Sequence, residues 1–331
     1  MKAIQLHEYG FDQLRYEDVP TPQAGPGQVL VRIHAASVNQ IDAGKASGAV
    51  RQLFPLTFPW IPGGDFAGTV ETVGAGVDGA LGFAPGTAVY GTCAAGGNEP
   101  TYGGAYAEYL AVPAIAIAVK PGNLSFVEAA AAPIAALTAW QGLRASHLQA
   151  GQTVLIHGGA GAVGAFAVQL AHHLGARVIA TAAAPDLDFV RALGAAQVID
   201  FNTTRFEAAV DQVDVVFDLV GGDTQQRSFA VVKAGGYLVA TNQPPSPEEA
   251  AKHGIHALMF GVQPSGEDLA HLAQLFAAGT LRVDVARTYP LAQVGQAWAD
   301  SARHLPPRPG SPAAPPVAAP KVHGKIVLEV G

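Results

Sequence analysis

The sequence predicts an α/β protein in which a doubly wound parallel sheet is inserted into a partly open antiparallel β-barrel. Three observations carry this reading. An apolar run, Thr153-Val154-Leu155-Ile156-His157, enters a glycine-rich turn at residues 158–164 that opens a helix. From there to residue 241, near-continuous Val/Ile/Leu runs alternate with helical stretches, the pattern of strands buried on both faces of a parallel sheet. Short β segments punctuated by Pro and Gly fill the first 120 residues, and a late strand at 325–330 suits a return to that part.

In order, the barrel segments are residues 2–7, 28–36, 66–73 and 87–91, with Pro26-Gly27 and Pro85-Gly86 as turns ahead of strands. Ser125 and Glu128 form a capping-box pattern before an alanine-rich helix, which Pro133 should kink or restart. The architecture therefore changes near 122, giving a first domain of 1–121 with 266–331 and a second of 122–265. In the second, strands at 153–157, 177–181, 197–200, 213–220 and 235–241 are separated by helices, and a short strand follows at 259–262. The helix at 165–174 ends at Gly175, a favoured residue just past a helix end. An amphipathic helix at 267–278 carries Leu269, Leu272, Leu275 and Phe276 on one face. The proline-rich loop 305–320 can be neither helix nor central strand, and the P-x-x-P spacing of Pro312 and Pro315 within it is accounted for by a loop insertion of that composition.

At 331 residues, two domains are the natural division. A net charge of −7 with dispersed charges argues against a nucleic-acid partner. No run of eighteen apolar residues occurs and residues 1–8 lack a signal-peptide pattern, so the expected location is cytoplasmic, with no membrane contact. The single cysteine, Cys93, excludes an intrachain disulfide and any multi-cysteine metal cluster.

Gly159, Gly161 and Gly164 occupy the glycine places of G-x-G-x-x-G, which serve a tight turn, backbone approach to a pyrophosphate and close helix packing. With Ala160, Ala162 and Val163 they would present a helix N-terminus to phosphate, so a dinucleotide is expected here. The second strand of the unit ends at Thr181, and residues 180–185 hold no carboxylate for ribose hydroxyls. That favours NADPH, while NADH stays admissible because no local basic residue meets a 2′-phosphate.

Several separated motifs extend the reading. They are Ala36-Ser37-Val38-Asn39-Gln40-Ile41-Asp42, Ile61-Pro62-Gly63-Gly64-Asp65-Phe66-Ala67-Gly68, Gly103-Gly104-Ala105-Tyr106-Ala107-Glu108-Tyr109, Leu137-Thr138-Ala139-Trp140, the glycine turn, and Gly324-Lys325-Ile326-Val327-Leu328. Together, nearly end to end, they resemble the zinc-independent quinone oxidoreductase branch of the medium-chain dehydrogenase/reductase superfamily. The resemblance implies a GroES-like barrel domain with an inserted Rossmann domain. Zinc-dependent members bind the metal through a cysteine in the first motif and a His-Glu pair in the second; here those places hold Asn39, Gly64 and Asp65. Asn and Gly supply none of the S or N donors zinc requires, so no zinc is expected.

The implied activity is NADPH-dependent reduction of a quinone or α,β-unsaturated carbonyl by hydride transfer without metal. Asn39 is the first candidate for a polar catalytic group near nicotinamide and substrate, and Asp42 would orient neighbours or stabilise a turn. Thr138 would face the nicotinamide, Leu219 and Val220 would end a strand over the cofactor, and Met259, Phe260 and Val262 would offer backbone groups to the carboxamide. Lys325 resembles a family lysine near the cofactor phosphates, with a solvated strand end as its plainer reading. Gly44 stands where the family often carries an aromatic; Lys45 beside it would approach the substrate oxygen or, more simply, be a solvated loop lysine. His157 reads as structural. A homodimer is expected through the Rossmann sheet edge near 237–241. The alternatives are an enoyl-thioester reductase and a non-catalytic dinucleotide-binding sensor or structural protein.

Overall fold

The computed structural model describes residues 1–93, 103–303 and 323–331, so the proline-rich loop 305–320 lies outside the described residues. The chain forms two compact units, residues 1–134 with 264–331, and residues 135–263.

The first unit opens with β1 (Lys2–Leu6) and β2 (Leu14–Asp18), an antiparallel pair. Then come β3 (Gln28–Ser37), α1 (Gln40–Ala46), β4 (Asp65–Val73), β5 (Ala88–Thr92), β6 (Tyr109–Pro113) and β7 (Ile117–Val119). Strand β3 organises them: its first half pairs β6 and its whole length pairs β4, with register shifts between Leu30 and Val31 and between Ile33 and Ala35. At the second shift Gly68 faces β3 so closely that a Cβ would lie 2.1 Å from the Arg32 carbonyl oxygen, which requires glycine. Alternating apolar residues such as Val29, Val31, Ile33 and Phe66 fill the interior.

In α2 (Phe126–Ala130) the capping box forms as expected: the Glu128 N–H donates to the Ser125 hydroxyl oxygen and the Ser125 N–H donates to the Glu128 carboxylate at 2.8 Å. Pro133 starts a separate helix, α3 (Pro133–Ala145), at the position where its missing N–H costs nothing. Because α2 packs against β3 and β4, it stays with the first unit, and the second unit begins at Ala135 rather than at 122.

The second unit alternates β8 (Thr153–His157), α4 (Ala162–His173), β9 (Arg177–Ala182), α5 (Leu187–Ala192), β10 (Gln197–Asp200), β11 (Val213–Asp218), α6 (Gly222–Ser228), β12 (Val232–Ala240), α7 (Pro247–His253) and β13 (His256–Met259). All six strands are parallel, in the order β10-β9-β8-β11-β12-β13. This is the doubly wound arrangement, and its strand order reverses between β8 and β11, where ligands settle in such sheets. Two expectations are corrected. The segment 237–241 is not an edge: β13 pairs with β12 from Tyr237 opposite His256 to Ala240 opposite Met259, so β13 is the edge strand. The strand placed at 259–262 lies instead at His256–Met259, although the Phe260 N–H still donates to the Ala240 carbonyl at 2.7 Å.

The chain then rejoins the first unit through α8 (Gly266–Ala277), β14 (Val285–Pro290), α9 (Val294–Arg303) and β15 (Lys325–Glu329). Ser265 caps α8 by accepting from the Asp268 N–H at 3.1 Å, and the Tyr90 hydroxyl ties the helix to β5 by donating to the Leu269 carbonyl at 2.7 Å. Strand β15 runs antiparallel to β3, with Val327 opposite Ser37, and parallel to β14. It completes the sheet β14-β15-β3-β4-β5-β7 and thereby carries Lys325 beside the loop that follows β3.

Candidate active site

The glycine turn leaves the C-terminal end of β8 at the point where the strand order reverses. Its glycines answer to different neighbours. A Cβ on Gly164 would sit 2.1 Å from the Gly158 carbonyl oxygen, and one on Gly159 would sit 2.9 Å from the Ala180 Cβ. Both are therefore glycine for internal packing. Gly161 is different: with φ −73 and ψ 167, a Cβ there would meet only the Gly158 oxygen, at 3.3 Å. Little within the chain demands glycine at 161, so its bare Cα leaves room for something outside the chain. Gly161 caps α4 without a side chain, leaving the N–H groups of Ala162, Val163 and Gly164 in the first turn where a phosphate would meet them. The residues present fit a bound dinucleotide pyrophosphate.

Thr181 and His157 brace this turn from below. The Gly159 N–H donates to the Thr181 carbonyl at 2.9 Å, and the Gly158 N–H donates to the Thr181 hydroxyl at 3.1 Å. His157 is fully buried, with Nδ1 3.3 Å from that hydroxyl and Nε2 3.0 Å from the Ser228 hydroxyl. Since the Ser228 hydroxyl donates to the Thr224 carbonyl at 2.7 Å, it accepts from His157, so the network assigns the proton to Nε2. Burial pushes the imidazole down to about 4, and the ring is a neutral structural group, as the sequence suggested.

Beyond Thr181 the chain runs through Ala182 and Ala183 into a short 3-10 turn, Ala184–Asp186, whose carboxylate is buried. At the exit of β11, the Asp218 carboxylate accepts the N–H groups of Val220 and Gly221 at 3.0 and 2.9 Å, fixing the Leu219-Val220 bend. This bend lies against the glycine turn, since a Cβ on Gly158 would be 3.5 Å from Val220 and 3.9 Å from Leu219. Val220 is half exposed. Phe260 and Val262 follow β13 in a segment held by Gln141 and Gln263, which exchange two hydrogen bonds of 3.0 Å. Thr138 is buried on α3.

Asn39, Asp42 and Lys325 belong to the first unit and form a cluster of their own. Asn39 precedes α1, but its side chain makes no cap. Instead its amide Nδ2 donates to Asp65 Oδ2 at 3.1 Å, and its Oδ1 accepts from the Lys325 ammonium. Asp65 also accepts from the Ser37 hydroxyl at 3.2 Å and, through Oδ1, from the Ile134 N–H at 3.0 Å. The Lys325 nitrogen stands 4.0 Å from Asp65 Oδ2. Burial pushes the Asp65 carboxyl up and the Lys325 ammonium down, opposed in each case by the charge of the other. Lys325 is thus no solvated strand end: it is 7% exposed and spent on Asn39 and Asp65.

Beneath Gly63 and Gly64 lies a small cavity lined by Asp42, Lys45, Trp60 and Cys93. Asp42 is buried and accepts from the Gly64 N–H, and its Oδ2 has no partner among the described residues. Burial, reinforced by the charge of Asp65, pushes its carboxyl up to about 6. The solvated reading of Lys45 is corrected here, since the residue is only 5% exposed. Burial pushes the Cys93 thiol up to about 12, and its Sγ lies 3.1 Å from the Gly63 carbonyl oxygen, so it is not a nucleophile. Tyr106, which the sequence reading passed over as a site residue, packs against Gly63, where a Cβ would meet its ring at 2.4 Å. Its hydroxyl donates to the Ser37 carbonyl at 3.3 Å. Its place in the motif Gly103–Tyr109 was the signal in the sequence that could have found it.

This donor set does not fit zinc. Asn39 offers only an amide, already bonded to Asp65 and Lys325, Gly64 has no side chain, and Asp65 already faces an ammonium where a metal would need its charge. Among the described residues no group of three His, Cys, Asp or Glu side chains is arranged to hold a metal.

Residues 25–122 match the family described as alcohol dehydrogenase GroES-like domain, and residues 193–304 match the one described as zinc-binding dehydrogenase. The chain is 36% identical over 288 residues to 2-methylene-furan-3-one reductase of Solanum lycopersicum, covering 85% of this chain and 70% of that protein. It is 34% identical over 306 residues to the chloroplastic NADPH-dependent alkenal/one oxidoreductase of Arabidopsis thaliana, covering 90% and 75%. The solved quinone oxidoreductase of Coxiella burnetii superposes with a TM-score of 0.86 at 33% identity, covering 100% of this chain and 99% of that one. The inserted doubly wound sheet, the glycine turn and these relatives agree: the chain belongs to the medium-chain dehydrogenase/reductase superfamily, in its quinone and alkenal oxidoreductase branch.

Proposed function

We propose that the protein is an NADPH-dependent reductase of quinones or α,β-unsaturated carbonyls that works without zinc. The observation that carries this reading is the Asn39–Asp65–Lys325 network, in which Asn39 and Asp65 occupy two of the places that the sequence resemblance implies for metal ligands and are tied to each other and to an ammonium. Without a Lewis acid there is nothing to make an alkoxide near neutral pH, and an activated double bond is the acceptor that does not need one. When bound, the dihydronicotinamide supplies a hydride. The chain's own part is to hold the pyrophosphate at Gly159, Gly161 and the first turn of α4, with Ala160, Ala162 and Val163 offering backbone. Thr181 fixes that turn. Leu219, Val220, Phe260, Val262 and Thr138 are proposed to border the cofactor, and Asn39, Asp42 and Lys325 to set the polarity on the acceptor side. The carboxylate-free end of β9 and the name of the Arabidopsis relative support NADPH over NADH.

Purified protein offered 1,4-benzoquinone, an alkenal and an enoyl thioester should oxidise NADPH with the first two. Turnover confined to the thioester would favour an enoyl-thioester reductase, and tight NADPH binding with no turnover on any acceptor would favour a sensor. A homodimer is proposed through the free sheet edge at β13, since an unpaired edge invites strand addition. The cytoplasm is the proposed compartment, in keeping with a free, buried cysteine. No helix among the described residues is long and apolar enough to cross a membrane.

A further inference from the structure

The segment that leaves β9 offers a dinucleotide neither a cation nor an open carboxylate, since Asp186, the first acid after the strand, is buried. The sheet brings another loop to that place. Strand β10 pairs with β9 as far as Asp200 opposite Ala182, and the Phe201 N–H then donates to the Ala182 carbonyl at 3.2 Å. Residues 201–205 therefore stand beside the end of β9, on the side away from the glycine turn. Two strand spacings, about 10 Å, separate β10 from β8, and the ribose of a dinucleotide held at the glycine turn falls on the strand between them. All five residues of the loop are exposed. Asp200 shapes it from within, accepting from the Asn202 N–H at 3.0 Å, the Asn202 amide at 3.2 Å and the Thr203 hydroxyl at 3.3 Å. Two side chains are left to solvent. Phe201 is 58% exposed, and the Arg205 side chain is 74% exposed, tied through Nη2 to Glu207 at 2.8 Å. Glu207 has a second cation: Arg227 donates to its other oxygen at 2.7 Å, pairs with Asp223 at 2.8 Å and covers the Phe206 ring at 4.7 Å. An exposed pair such as Arg205–Glu207 contributes little to stability, so the Arg205 fork can be redirected at small cost.

We propose that Arg205 selects NADPH over NADH by pairing with the 2′-phosphate, and that the exposed face of Phe201 receives the adenine beside it. The inference rests on the NADPH reading above and supplies, from β10, the cation that the segment after β9 lacks. A guanidinium fork matches phosphate oxygens in pairs, and an aromatic face accepts any base by stacking. The two contacts differ in what they discriminate. The 2′-phosphate is present in one cofactor only, so a contact to it moves the two affinities apart, whereas a stack on the shared adenine moves them together.

The test uses the full chain, with dissociation constants for NADPH and NADH from fluorescence titration and Tm for each variant. Arg205→Ala should weaken NADPH about 10- to 100-fold, the range for losing a hydrogen bond to a charged group, and leave NADH affinity and Tm unchanged. Arg205→Lys should keep part of the preference, because the charge stays and the fork goes. Phe201→Ser should weaken both cofactors alike, by about 10-fold. Arg191→Ala is the control: that guanidinium lies on α5, paired with Asp188 at 2.6 Å, and its loss should leave the preference intact. A wild-type ratio of affinities in Arg205→Ala, or equal losses for both cofactors, would overturn the proposal and leave the dinucleotide reading standing. So would a preference that falls with Arg191→Ala, or a wild-type protein that binds NADH as tightly as NADPH. Unchanged affinities in Phe201→Ser would overturn the adenine contact. A wild-type protein that binds neither cofactor would overturn the dinucleotide reading, and this proposal with it.

Discussion

Gly161 and Gly164 belong to one motif yet should respond to substitution in opposite ways. A side chain at 164 collides with the Gly158 carbonyl, whereas one at 161 fills space meant for phosphate. Gly161→Val should therefore abolish NADPH binding with the circular dichroism spectrum and melting curve retained, while Gly164→Ala should lower Tm. Unchanged NADPH affinity in Gly161→Val would contradict the cradle. Asp42 makes a prediction in pH. Its native carboxyl is raised to about 6, so between the ordinary carboxylate value and 6 the folded state holds a proton that the unfolded state has released. Stability from this group is present at low pH and lost as pH rises through that window. Asp42→Asn keeps an acceptor for the Gly64 N–H and removes the buried charge, so its Tm should gain on wild type between pH 4 and pH 7. A difference independent of pH would show that Asp42 is not held in this way.

The bracing of the turn by β9 rests on one hydroxyl. Thr181→Val leaves the Gly158 N–H and His157 Nδ1 without their partner, a cost of about 1–3 kcal/mol. Lower Tm and weaker NADPH binding should appear together, and a fall in Tm with unchanged affinity would show that Thr181 supports the sheet without shaping the turn. At this scale most strands were legible, because β8, β11 and β15 are buried runs that admit one reading. Strand β13 was misplaced for a physical reason: none of its four residues is fully buried, so no apolar run marks it, and β12 was mistaken for the edge it covers. Strands β6 and β7 lie among alanines with little periodicity. A solvated loop is the plainer sequence reading of Lys45 and a solvated strand end the alternative for Lys325, because burial of a cation depends on which elements pack over it, and that information is long-range. Asn39 was legible as a place in a motif, but its ties to Asp65 and Lys325 span 26 and 286 residues of chain.

At the scale of the whole molecule, one unit carries the glycine turn on a doubly wound sheet, and the other carries Asp65 and Lys325, 4.0 Å apart and each hydrogen-bonded to Asn39. Prolonged treatment with a strong chelator should leave turnover unchanged, and chelator-sensitive turnover restored by zinc would contradict the zinc-free account. Under the proposed function, hydride goes to an activated double bond and not to a carbonyl carbon. The direct measurement is turnover of an alkenal with NADPH carrying deuterium at nicotinamide C4 on either face, followed by locating the label in the product. A saturated aldehyde bearing one deuterium at the β-carbon is expected from one of the two labelled donors; deuterium at the carbonyl carbon of an allylic alcohol would show that hydride goes to the carbonyl instead.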